Sequence, residues 1–298
     1  MAAYNVNRGE LGIVSAQTGG WSGEPENVIR LWRWDGEADP SLHMLLNTEG
    51  ADPRAETRPF VDAQDNFCHR RGVHALEYSR NARDGGMLFS CSEDLLVAWA
   101  MDAETGRGTE AVRAQTPLAG TPECIRLCSD SISLVCAGRV VPGDGLPILD
   151  LGAGLTESSR LGFKADSACD IIEIPSAERG QILVGAAANR AYLWDRRSCS
   201  APSLRLPVPS IKALGAVEND PNAFFAAAGD AVLAYDIRKL PADDPKSRTP
   251  PDALACFKAS SDASLTCAAA LGNVLAAGDC NGDLHVWDFG RANPDRDS

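Results

Sequence analysis

One short phrase recurs along this chain: an apolar strand that closes on an aromatic residue and an aspartate. Its fullest copy is Asn273-Val-Leu-Ala-Ala-Gly-Asp-Cys-Asn-Gly-Asp-Leu-His-Val-Trp-Asp-Phe289. Val274, Leu275 and Ala276 open one strand, and Asn281-Gly282 supplies a two-residue turn that favours positive φ. Leu284, Val286 and Trp287 run back as a second strand, so the segment reads as a β-hairpin. Shorter copies lie upstream: Ile29-Arg-Leu-Trp32, Leu96-Val-Ala-Trp99, Pro147-Ile-Leu-Asp150, Ala191-Tyr-Leu-Trp194-Asp195 and Leu233-Ala-Tyr235-Asp236. In the third of these Leu149 stands where the aromatic would be. The intervals from Trp32 to Trp287 are 67, 50, 45, 41 and 52 residues. Most lie near the roughly 40–45 residue period of a four-stranded repeat unit. The first is long because residues 48–66 read as an inserted loop.

Each hairpin has strand-like neighbours. Ahead of them lie Val73–Tyr78, Cys124–Cys128, Asp170–Ile174, Ile211–Leu214 and Leu265–Ala269, and behind them Glu110–Arg113, Leu204–Pro207 and Leu254–Lys258. No helical period appears, and 27 Gly with 18 Pro punctuate the turns, which argues against α/β folds. Inner strands are rich in Ala, Val and Cys, as crowding near a central axis demands. The fold class expected is all-β: a β-propeller of four-stranded antiparallel blades. Six blades are recognisable, or a seven-bladed ring with incomplete terminal blades. Residues 1–298 form one domain in this reading, with a short disordered tail over 290–298. Residues 1–10 offer one strand, near Tyr4 to Asn7. The first repeat needs an inner strand and the last an outer one, so closure is expected to be imperfect, open to completion by a partner's strand.

Composition removes several functions. The net charge of −13 opposes phosphate backbones and anionic lipid surfaces. Ten Cys are scattered without a Cys-x-x-Cys pair, and Cys124 with Cys128 reads as core filling. No apolar run approaches a membrane span, and no secretory leader or glycosylation site is legible. Gly20-Trp-Ser22-Gly23 lacks the last Gly of a nucleophile elbow, and no phosphate loop, zinc-protease or dinucleotide motif occurs. The expectation is a reduced cytoplasmic or nuclear protein with no cofactor, metal or catalytic residue.

The repeats resemble those of the WD40-repeat family. His74, Ser92, Asp94 and Trp99 are similar to that family's His–Ser–Asp–Trp hydrogen-bond chain. The last repeat has Asn281 at the Asp position and no matching His. By the family's geometry, Gln17–Glu26, residues 48–66 and Arg139–Gly145 emerge on the top face, and Leu240–Asp252 on the bottom. Trp21, Arg54, Arg58 and Arg139 in these top loops are candidate partner contacts. Trp194-Asp195-Arg196-Arg197 and Tyr235-Asp236-Ile237-Arg238 both read aromatic-Asp-x-Arg. This is similar to a motif of substrate receptors in cullin-RING ubiquitin ligases, which makes Arg197 and Arg238 candidate adaptor contacts; a purely local salt bridge is the alternative. The resemblance implies a non-catalytic protein–protein interaction scaffold that binds through the top loops of blades one to three. A ligase receptor and a reader of histone tails or other basic peptides are the alternatives. Membrane, nucleic-acid and small-molecule partners are not expected.

Overall fold

The computed structural model describes residues 2–5, 11–16, 29–34, 41–46, 69, 73–79, 86–92, 95–101, 108–117, 121–139, 145–162, 167–176, 180–187, 189–198, 201–217, 220–241, 251–260, 262–271 and 273–288. Among them there is no helix. The chain is all-β, with propeller-type antiparallel blades in which each strand pairs with the next along the sequence. The first sheet is β1 (Ala2–Asn5), β2 (Leu11–Ala16), β3 (Ile29–Trp34) and β4 (Ser41–Leu46). The second is β5 (Ala75–Ser79), β6 (Gly86–Cys91), β7 (Leu95–Met101) and β8 (Gly108–Pro117). The third is β9 (Thr121–Leu127), β10 (Ser133–Arg139), β11 (Leu146–Asp150) and β12 (Thr156–Leu161). The fourth is β13 (Asp170–Ser176), β14 (Gly180–Ala187), β15 (Arg190–Asp195) and β16 (Leu204–Pro207). The fifth is β17 (Ile211–Ala216), β18 (Ala223–Ala228), β19 (Ala231–Asp236) and β20 (Ala255–Lys258). The last has three strands, β21 (Leu265–Leu271), β22 (Val274–Asp279) and β23 (Leu284–Asp288). The expected count of six blades becomes five complete blades and a sixth sheet without an outer strand among the described residues.

Every recurring aromatic-Asp phrase lies on the third strand of its sheet. The N-terminal strand, expected near Tyr4 to Asn7, is β1, and it pairs with β2 from Ala2↔Val14 to Asn5↔Leu11. It is therefore the inner strand of the first sheet.

The chain divides into two compact units, residues 1–141 with 147–159, and residues 142–146 with 160–298. In the first, β6 is buried along its whole length. Period-two alternation explains how. Leu88 joins Val97, Trp99 and Ile29 in one apolar cluster. Met87, Phe89 and Cys91 point the other way, against Ile125, Leu134, Cys136 and Leu149. The second unit repeats the arrangement on β18. Phe224, Ala226 and Ala228 pack toward Ile174, Val184 and Leu206. Phe225 and Ala227 pack toward Phe257, Leu265 and Leu275. A strand sandwiched between neighbouring sheets must be apolar on both faces, which is why these two lack a polar face. Small residues are needed where rings cross the ladder. A Cβ on Gly215 would lie 1.9 Å from the Phe225 ring, its register partner.

Candidate functional site

The second sheet holds a chain of buried polar groups. Trp99 Nε1 donates to Ser90 Oγ at 2.6 Å. His69 Nε2 lies 2.6 Å from Ser90 Oγ, and its Nδ1 lies 2.9 Å from Ser92 Oγ. Ser92 Oγ donates to the Leu95 carbonyl at 3.3 Å. An assignment that satisfies every group runs from the indole N–H to Ser90, from the Ser90 hydroxyl to His69 Nε2, and from His69 Nδ1–H to Ser92. Burial pushes the His69 pKa down to about 3, opposed by a hydrogen bond to the Ser90 backbone. The ring is therefore neutral, as this assignment requires.

Two of the four expected network residues, Ser92 and Trp99, belong to this chain. His74 does not. Its backbone N–H donates to the Cys91 carbonyl and so continues the β5–β6 ladder, which leaves the side chain exposed. The ring that reaches the interior sits five residues earlier. Ser90, two residues before Ser92 on β6, is the direct partner of the indole. Asp94 lies outside the described residues.

The last sheet carries a different cluster, which the sequence reading missed. Asp279, at the end of β22, is buried and accepts from Asn281 N at 2.9 Å and Asp283 N at 3.0 Å. Its Oδ2 lies 3.0 Å from His285 Nε2, and His285 Nδ1 lies 3.4 Å from Ser260 Oγ. No His directly precedes the first strand of this repeat, and the one that enters the cluster was not singled out. The histidine comes from the next strand, and the carboxylate precedes Asn281 by two residues. The turn is also longer than expected. Gly282 N donates to the Asp279 carbonyl, Asp279 N donates to Asp283 O, and Gly282 has φ +91°. That is a type I turn with a glycine bulge.

The other third-strand aromatics are held by other means. Trp194 Nε1 donates to the Gly162 carbonyl at 3.0 Å. Tyr235 is buried and its hydroxyl has no hydrogen-bond partner among the described residues. Burial pushes the Tyr235 pKa up to about 12.

Arg197 and Arg238 occupy equivalent places after β15 and β19, and both fold back. Arg197 Nε and Nη2 bind the Asp195 carboxylate, with Nε at 2.9 Å. Arg238 does the same to Asp236, at 2.9 and 2.7 Å. In each turn the Arg backbone N–H also donates to the same carboxylate. Hydrogen bonding by Arg197 holds the Asp195 pKa down to about 2, and Arg238 lowers that of Asp236. The two sites differ in burial: the Asp195 side chain is 29% exposed, that of Asp236 only 3%. Arg196 crosses instead to Glu173 on β13 at 3.2 Å. Arg139 is exposed at the end of β10, 4.0 Å from Glu123. Trp21, Arg54 and Arg58 lie outside the described residues.

Asp170 joins neighbouring sheets. It is buried, and its two oxygens accept from Ile171 N and from Leu214 N on β17, each at 2.8 Å. No protein-family model matches this chain, and no curated protein matches it.

Proposed function

We propose that this chain is a divergent WD40-repeat protein and a non-catalytic scaffold that binds other proteins in the cytoplasm or nucleus. The observation that carries the reading is the propeller-type repetition of antiparallel sheets whose buried polar groups are spent on bracing the sheets themselves. His69, Ser90, Ser92 and Trp99 satisfy one another, and Asp279 and Asp170 hold backbone donors. Such a fold presents stiff strand edges and loops to partners, though one fold hosts many roles. The Arg197 and Arg238 forks, engaged by their own carboxylates, support a turn-bracing role for that motif. Purification of the tagged chain from native extract at physiological salt, followed by size exclusion and mass spectrometry, tests the reading. A reproducible set of co-eluting proteins at a mass well above that of the chain is expected. Elution of the bare chain alone would overturn it.

A further inference from the structure

Among the described residues, the third strand of the last sheet is an apolar strand with no strand paired to its outer edge. Three of the exposed large hydrophobic residues belong to that sheet: Leu284 at 71%, Val286 at 59% and Val274 at 47%. Leu284 stands opposite Gly278, and Val286 opposite Ala276. These are in turn opposite Cys267 and Ala269 on β21, so one face of the sheet is apolar and shallow except along β23. The other face, with Leu275, Ala277 and Trp287, packs against Phe257 and Leu265.

Ladder parity fixes where the free backbone lies. Asp279 N donates to Asp283 O, so residues 279 and 283 form a hydrogen-bonded pair. Alternation then makes 277/285 and 275/287 hydrogen-bonded pairs. The N–H and C=O groups of Leu284 and Val286 therefore point away from β22, toward the edge. In the fourth and fifth sheets the equivalent edge is covered. There β15 pairs with β16, Leu-Arg-Leu-Pro, and β19 with β20, Ala-Cys-Phe-Lys. Each covering strand carries one base beside its apolar residues, Arg205 between two leucines in β16 and Lys258 at the end of β20, where it reaches Asp230 at 3.2 Å. From Ala259 to Gly290 the chain has four Asp and no Lys or Arg. Asp262 and Asp283 are exposed. A second copy pairing edge to edge would set like charges against each other.

We infer that β23 is an acceptor edge for a short extended segment of a partner protein, with apolar residues at alternate positions and a Lys or Arg at its ends. The segment supplies the fourth strand of the last sheet, its backbone completing the outward groups of Leu284 and Val286. Its apolar side chains cover the exposed β23 face, and its bases meet the carboxylates around the turn. This rests on the scaffold reading and gives it a site and a partner chemistry.

The test uses the full chain and a labelled peptide, acetyl-Lys-Val-Thr-Val-Thr-Val-Lys-amide, with a twin in which both Lys are Glu. Fluorescence anisotropy should show saturable binding of the basic peptide and at least tenfold weaker binding of the acidic one. Val286→Pro removes an outward N–H while sparing the β22 ladder, and Val286→Lys puts a charge on the face. Each should weaken binding at least tenfold with the circular dichroism spectrum unchanged. Should the proline variant fail to fold, the lysine variant decides. In the free chain, the amides of Leu284 and Val286 should exchange fast and those of His285 and Trp287 slowly. The peptide should slow the first pair. The inference is overturned by equal binding of the two peptides, or by variants that bind as the parent does. Protection of the Leu284 and Val286 amides without peptide overturns it too: at monomer mass the chain covers its own edge, and at dimer mass a second copy does. If native partners still co-elute with the chain while the peptide fails, only the β23 assignment falls.

Discussion

A buried neutral imidazole is a stability switch of known sign. The folded state holds the His69 pKa near 3, below the ordinary value of 6.5. Unfolded chains therefore bind a proton that folded ones refuse as pH falls from 6.5 toward 3. The stability present above pH 6.5 is lost on the way down, at about 1.4 kcal/mol per pH unit at full difference. His69→Gln should lose stability at pH 7.5 but show a flatter decline between pH 6.5 and 5 than the parent. His74→Gln should leave the stability at pH 7.5 near that of the parent, because the side chain is exposed. Urea midpoints at pH 7.5 and across that range check both. The third-strand aromatics give a second prediction. Tyr235→Phe deletes a buried hydroxyl that has no partner among the described residues, so its unfolding free energy should be unchanged or higher by up to about 1 kcal/mol. Trp99→Phe removes the donor that the buried Ser90 Oγ accepts from, together with part of a buried ring, and should cost about 1–3 kcal/mol. Trp99 and Ser92 were legible from motif spacing. The choice between His69 and His74 was not, because it depends on where β5 starts pairing, and one backbone bond to Cys91 decides that.

At the scale of the strand and its turn, legibility followed burial. Third strands and most inner ones are apolar enough to stand out. The outer strand β12, Thr-Glu-Ser-Ser-Arg-Leu, is exposed at its first four positions and has no pattern to read. The turn at Asp279 looked like a two-residue hairpin because the sequence cannot show that a buried carboxylate will take the Asn281 and Asp283 N–H groups. The Asp-x-Arg turns make a further prediction at this scale. Exposed ion pairs contribute little, so charge reversal at either arginine would be mild if both pairs were exposed. The structure separates them. Arg197→Glu loses a partner for a carboxylate that water also reaches, so its cost should be small. Arg238→Glu leaves the buried Asp236 with its backbone donor alone and beside a new like charge, so its loss should be clearly larger. Thermal midpoints of the two single variants check the order. Equal shifts would mean that Asp236 is satisfied by its backbone donor alone.

A molecule of repeated sheets is held by two kinds of energy, the sheets' own and that of the contacts between neighbours. Apolar packing supplies most of the second kind, and polar ties between the described strands add direction in each compact unit. In the first unit Arg126 on β9 meets Glu77 on β5 at 3.2 Å, with both side chains partly in solvent. In the second, Asp170 at the start of β13 holds Leu214 N on β17 from a buried position. Both ties run between inner strands, yet they should not be worth the same. Solvent screens the ion pair, and its removal should cost no more than about 1 kcal/mol. Asp170→Ala leaves the Leu214 and Ile171 N–H groups without their acceptor, which should cost about 1–3 kcal/mol for each that stays buried. Urea unfolding of Asp170→Ala and Arg126→Ala should therefore give a clearly lower midpoint for the first. Hydrogen exchange locates the loss: in Asp170→Ala the Leu214 amide should exchange faster before the strands around it do, since its bond is the one cut. An Arg126 variant as unstable as the Asp170 variant would show that the first tie is shielded from water more than its exposure indicates. An unshifted Leu214 amide would show that another group takes over the bond.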